Sequence, residues 1–315
     1  MNSRKHIVLG TGVLGLTVAR MLAAHGVRPV LASRSGRRVG GWSVLACDAG
    51  DPAALAALLD APATLYVCAA PPVSRWDLEF PRLAEGIAGA VPGRNVDIVL
   101  ADSVCAYGHC KGSFVEGDPA RPCNSKGRAR MYMAERVLSL HGRYGVRATV
   151  VRAATFFGPG VTKSSVSQAA LAGALAGRIV HVPGDPGMAH AFTYVPDFAG
   201  TMIELGCRDA AFGHCWHTPS HNGRSHLDFL REAAQPADQD VRLRALGPLA
   251  MRCLALFNPA LDELHDMLHL YETPWAFSSA LTQRTFGIAS TPLSAALART
   301  TYALRARQLA PSPSL

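Results

Sequence analysis

Residues 6–35 read HIVLGTGVLGLTVARMLAAHGVRPVLASRS, and no other stretch restricts the fold as much. An apolar strand runs into a glycine turn, an amphipathic helix and a second strand. Gly10, Gly12 and Gly15 fall at the G-x-G-x-x-G spacing, which by itself is weak in a chain with 29 glycines. Its setting makes it specific: a β-branched strand precedes it, and Leu16, Ala19, Leu22 and Ala23 mark one helical face after it. Gly10 permits the tight turn, Gly12 lets backbone approach a pyrophosphate, and Gly15 lets helix and strand pack closely. Thr11, Val13 and Leu14 complete the turn, whose helix N-terminus faces the negative charge.

The end of the second strand selects the dinucleotide. A carboxylate there would bond the ribose 2′-hydroxyl of NAD, but the chain has Ser33-Arg34-Ser35, with Arg37 and Arg38 close behind. A guanidinium with hydroxyls suits a 2′-phosphate, so NADP(H) is preferred and NAD(H) is the second choice. A solvated basic turn is the alternative reading.

Apolar runs at VLACD, ATLYVCAAPP, VDIVLAD and RATVVRA alternate with helical segments. The expected fold is α/β, a doubly wound parallel Rossmann sheet, with ligand at the carboxyl ends of the strands. Residues 1–155 form the dinucleotide-binding domain and 156–315 a smaller, mainly substrate-binding portion. A return to the sheet is expected near 190–220, with HCWHTPS as the candidate strand.

Composition excludes several classes. The net charge is +8, but only four of the 31 basic residues are Lys and the Arg are scattered, which does not make a nucleic-acid surface. The longest apolar run, AALAGALAGRIV, is broken by Gly and Arg and is too short to span a bilayer. Eight Cys without regular spacing, after an N-terminus lacking a secretory pattern, point to reduced thiols and a cytoplasmic location. Residues 309–315 read as a frayed tail. A small-molecule substrate is the expected partner, and a homodimer stays open.

The order of motifs carries a resemblance. The glycine turn, Asp48 after the third strand, VCAAPP after the fourth, ADSVCAYG after the fifth, VVRAATFFGPGV after the sixth and AFTYVPDFAG at 191–200 together resemble an extended short-chain dehydrogenase/reductase of the NAD-dependent epimerase/dehydratase branch. The likeness continues through HCWHTPS and RTFGIASTPLSAALART. It implies that Gly10, Gly12 and Gly15 hold pyrophosphate, that Asp48 lies near adenine, and that Ala69 and Ala70 line the ribose and nicotinamide side. It also puts Ser103 at the catalytic Ser/Thr position. The family's catalytic Tyr-x-x-x-Lys falls on Lys126-Gly-Arg-Ala-Arg130, in PCNSKGRARMYMAERVL.

Arg130 can take over the ribose-holding role of the family's Lys, but it cannot replace a phenol. Lys126 could give the proton itself, if burial and Arg130 disfavour its charge, or stay charged and stabilise an oxyanion or grip a carboxylate. Tyr132 imitates the lost spacing, yet at about 100° per residue it points about 160° from Arg130 and about 120° from Lys126. Substitutes from elsewhere are Tyr107, Trp76, His190 and Tyr194. Trp76, Tyr107, Phe156 and His190 are the candidate substrate-binding residues. No metal is expected: the His214, His217 and His221 cluster alternates faces, and His265 and His269 lack the Glu of a zinc helix. Cys105 and Cys110 read as buried thiols, with redox sensing as the alternative. Three functions follow, in order: a carbonyl-reducing oxidoreductase, a redox-neutral epimerase or dehydratase, and a catalytically silent NADP(H)-binding regulator.

Overall fold

The computed structural model describes residues 4–109, 112–247, 251 and 266–309. Strand β4 (Ala63–Val67) is buried at every position, and β5 (Val96–Ser103) and β7 (Arg147–Ala153) are buried at nearly every one. A strand apolar on both faces must be covered on both, and parallel pairing with crossover helices is how a chain does that. Together with β1 (Lys5–Leu9), β2 (Val30–Ser33), β3 (Val44–Ala46) and β11 (Cys215–His217) these strands make a seven-stranded sheet, ordered β11-β7-β5-β4-β1-β2-β3. Every pairing in it is parallel. This is the doubly wound α/β sheet that the alternation of runs implied.

Helices α2 (Pro52–Leu58), α3 (Trp76–Ala90) and α4 (Ser125–Leu138) cover one face, where Leu55, Phe80, Ile87 and Met133 are essentially fully buried. Helices α1 (Val13–Ala24) and α6 (Val195–Leu205) cover the other, closing over Val8, Tyr66 and Val99 with Val18, Phe198 and Met202. The strand order reverses at β1, so the crevice at its carboxyl end is where such a sheet receives ligand.

After β7 the chain passes at once into β8 (Thr155–Phe157), the edge of a second sheet ordered β12-β10-β8 with β10 (His190–Tyr194) and β12 (His221–Arg224). Cys215–His217 pairs with Val150–Arg152 at the edge of the large sheet. Two short ribbons complete the C-terminal part: β9 (Ile179–Pro183) with β13 (Arg242–Leu246), and β6 (Gly112–Phe114) with β14 (Trp275–Phe277). The second ribbon seats residues 275–277 beside the loop that follows β5. Asp197 receives the backbone N–H of Thr291 at 2.8 Å and its hydroxyl at 2.6 Å, fastening the segment before the last helix to α6. No helix among the described residues is long and apolar enough to cross a membrane.

Phe198 joins the two parts, since it lies in the sheet-covering core with its ring 5.6 Å from that of Phe156. Phe198→Ala is expected to cost about 3–5 kcal/mol by leaving a cavity there, measured as a lowered urea midpoint with an unchanged slope.

Candidate functional site

The crevice at β1 is built by glycine. Gly10 has φ +100°, and a Cβ on it would come 2.6 Å from the Ala69 nitrogen; one on Gly15 would come 1.9 Å from the Gly10 carbonyl. A Cβ on Gly12 would meet nothing within 4 Å, so this backbone faces open space. Gly12 caps α1 without a side-chain bond and no acidic residue stands in the first turn, leaving N–H groups aimed outward for an anion. The cavity is about 390 Å³ and is lined by Gly10, Thr11, Gly12, Ser33, Arg34, Asp48, Ala69 and Ala70. Val13 and Leu14 lie behind it in the first turn of α1, and Gly15 packs against the Gly10 carbonyl.

Two arginines face this cavity, each tied to a carboxylate. Arg34 donates to Glu79 at 2.6 Å, and Arg82 holds Asp48 through two bonds of 3.2 and 2.7 Å. The Arg82 hydrogen bonds outweigh partial burial and, with the Gly50 N–H, hold the Asp48 carboxyl below the usual range. Ser33 Oγ is buried without a hydrogen-bond partner among the described residues. An open backbone cradle, an uncapped helix start and an orphaned hydroxyl at the end of β2 fit the pyrophosphate and ribose of a dinucleotide. Glu79 and Arg82 escaped the sequence reading, although their three-residue spacing on α3 puts both on one face.

At the carboxyl end of β5, α4 packs against the turn that follows the strand. Gly127 lets the helix close in, since a Cβ there would be 2.5 Å from the Cys105 carbonyl. Asn124 caps the helix by accepting from the Gly127 N–H at 2.8 Å. Lys126, in the first turn, has a side chain only 9% exposed, with Nζ 3.8 Å from Asp77 Oδ1. Ser103 ends β5, its Oγ buried without an oxygen or nitrogen partner among the described residues and next to the Cys105 thiol, which burial pushes up.

Arg130 is turned into the fold. Its Nε donates to Asp102 Oδ1 at 2.8 Å and its Nη2 to the Ala101 carbonyl at 2.6 Å, with the guanidinium carbon 4.4 Å from the Phe80 ring centre. Arg152 donates to the other Asp102 oxygen at 2.6 Å. Burial alone would raise the Asp102 carboxyl, but the two guanidiniums outweigh it and hold it below the ordinary value. Both cations therefore share one buried carboxylate, and the ribose-gripping geometry inferred for Arg130 is not what its visible bonds describe.

Of the candidate substrate residues, Trp76 donates to the Pro71 carbonyl at 3.1 Å and stands beside Arg130, with its ring centre 5.8 Å from the guanidinium carbon. Tyr107 and Phe156 are taken up in packing. The Tyr107 hydroxyl donates to His217 Nε2 at 2.6 Å, while His217 Nδ1–H donates to the Ser278 carbonyl at 2.6 Å. Burial lowers His217 to about 3, so it stays neutral. Phe156 meets Phe198 rather than the crevice. His190 is buried among aromatic rings, and the Tyr132 hydroxyl bonds Glu85 at 2.6 Å on the outer side of α4. Cys110, His265 and residues 310–315 lie outside the described residues.

This sheet, with a nucleotide cradle at its switch point, defines a Rossmann-type enzyme using NAD(P)-type chemistry. More narrowly, the chain belongs to the NAD dependent epimerase/dehydratase family, whose model matches residues 7–206. It is similar in fold to MoeE5 in complex with UDP-glucose and NAD (20% identity, TM-score 0.70, covering 97% of this chain and 100% of that one). UDP-glucuronic acid 4-epimerase from Bacillus cereus in complex with NAD is similar at 14% identity and TM-score 0.71, covering 96% and 99%. Pal from Bacillus thuringiensis is similar at 15% identity and TM-score 0.74, with the same coverage. No curated protein matches the chain.

Asp102→Asn would leave two buried guanidiniums without a counter-charge, an expected cost of about 3–5 kcal/mol at neutral pH. Because the folded carboxyl titrates below its unfolded value of about 3.9, its contribution is complete above that pH and is lost as pH falls through the lower folded value. The gap between wild type and variant should therefore narrow in acid, as measured by urea unfolding across pH.

Proposed function

We propose that the protein is an NADP(H)-dependent oxidoreductase that interconverts a carbonyl and a hydroxyl group on a small molecule. The observation that carries this reading is the placement of Lys126: a nearly buried ammonium on the helix turn packed against Cys105, two residues after Ser103. When bound, the dinucleotide supplies the hydride donor or acceptor. Ser103 Oγ, buried beside the Cys105 thiol, turns its hydroxyl to donate a hydrogen bond to the substrate oxygen. Lys126 stabilises the oxyanion as it develops and gives a proton to it. Its proton returns from solvent on the side of Asp77, which is half exposed.

Arg130 is a positioning residue in this scheme. Its bonds to Asp102 and the Ala101 carbonyl fix α4 against β5, and so fix the distance between Lys126 and Ser103. Preference for the phosphorylated dinucleotide is supported by Arg34 and the unpartnered Ser33 hydroxyl at the end of β2, where a 2′-phosphate would draw Arg34 from Glu79. Membership of the epimerase/dehydratase family supports a second reading, a redox-neutral enzyme that cycles its dinucleotide without net consumption.

Paired titrations of wild type and Arg34→Ala with NADPH and NADH test the cofactor assignment. Wild type should bind NADPH at least about tenfold tighter, and the variant should lose that margin while keeping its NADH affinity. Equal affinity of wild type for both would overturn it. Net NADPH oxidation over a panel of carbonyl compounds supports the reductase; product formed without net oxidation supports the redox-neutral reading.

A further inference from the structure

The adenosine end of the dinucleotide cavity carries more charge than a pyrophosphate cradle requires. Glu79 lines this cavity from the first turn of α3, where a helix N-terminus favours a carboxylate. Its Oε2 receives Arg34 Nη1 at 2.6 Å. Its Oε1 lies 2.8 Å from Arg75 Nε, one helical turn earlier, yet makes no aligned hydrogen bond among the described residues. Three residues after Glu79, Arg82 holds Asp48 through two bonds. Arg34 is also within Coulombic reach of Asp48, and Glu79 of Arg82. Three guanidiniums and two carboxylates therefore crowd one side of the cavity.

The two carboxylates are not equivalent. Asp48 spends both oxygens on Arg82, so that pair is closed on itself. Glu79 holds Arg34 by a single bond, and its side chain is only 11% exposed where that of Arg34 is 53% exposed. The guanidinium, on a long stem beside open space, is free to swing, whereas the carboxylate stays against α3. A 2′-phosphate that reaches Arg34 at the end of β2 thus arrives beside a fixed negative charge that already holds its partner. It carries about two negative charges itself, and like charges set face to face oppose binding. A ribose 2′-hydroxyl is neutral and meets no such opposition. The charge of Glu79 therefore acts on the phosphorylated dinucleotide and spares the other.

We infer that Glu79 sets how strongly the protein discriminates between the two dinucleotides. Its carboxylate occupies Arg34 in the free protein and must release it to a 2′-phosphate, which keeps the preference for NADP(H) below what Arg34 alone would give. This rests on the proposed function, because it takes the 2′ position of the adenosine ribose to lie at Ser33 and Arg34.

Adenosine 2′,5′-bisphosphate and adenosine 5′-monophosphate differ only in the 2′-phosphate and probe this site without any reaction. Calorimetric titration of the full chain gives the ratio of their affinities. Glu79→Gln keeps the shape of the side chain and removes its charge. It should raise the bisphosphate-to-monophosphate ratio by about tenfold, with monophosphate affinity unchanged within about twofold. Glu79→Ala should move the ratio the same way, and retained monophosphate binding shows that each variant is folded. A ratio that stays the same or falls in both variants would overturn the inference. The cofactor assignment is read separately, from the wild type. A bisphosphate advantage that is missing in wild type and appears in Glu79→Gln removes the NADP(H) preference and leaves the role of Glu79; a wild-type advantage that neither variant alters does the reverse.

Discussion

One buried carboxylate organises the junction of β5, β7 and α4. Asp102 stands on the strand that carries Ser103, and it binds Arg130 from the site helix and Arg152 from the neighbouring strand. Two guanidiniums around one carboxylate leave a positive surplus in the interior, which is costly unless the bonds are well aligned. Here they are short, and the Phe80 and Tyr107 rings lie 4.4 and 4.5 Å from the two guanidinium carbons. Sheet strand, site helix and the Tyr107–His217 pair are thus tied at a single point. The same point sets where Lys126 and Ser103 stand.

That arrangement shows in physical terms what an arginine does at position 130. An arginine one helical turn after Lys126 reaches back to β5 and spends its hydrogen bonds on Asp102 and a backbone carbonyl. It can hold a helix with a planar fork that a lysine ammonium lacks. Lys126, in the first turn of the same helix, is nearly buried, with Asp77 on the opposing helix as the carboxylate beside it. At the cofactor end the charges are balanced differently, with Arg34 and Arg82 both exposed to the cavity and both partnered from outside the glycine turn.

Much of this was legible in the sequence, and the reasons differ by element. Buried parallel strands such as ATLYV announce themselves because both faces need apolar residues, and the glycine turn because only glycine tolerates the approaches at Gly10 and Gly15. Pairings across long separations were not legible. Arg34 with Glu79, Asp48 with Arg82 and Arg130 with Asp102 join residues 45, 34 and 28 positions apart, and nothing local encodes them. The same holds for Tyr107: its place near the fifth strand suggested substrate contact, whereas its partner His217 arrives from 110 residues away.

In the proposed reaction Lys126 is the group that meets the substrate oxygen. Stopped-flow oxidation of NADPH by wild type and Lys126→Met, with a carbonyl compound that wild type reduces, measures this directly. Hydride transfer should slow by at least about 100-fold, with NADPH affinity unchanged within about twofold. A Lys126→Met variant that reduces the same compound at the wild-type rate would contradict the assignment.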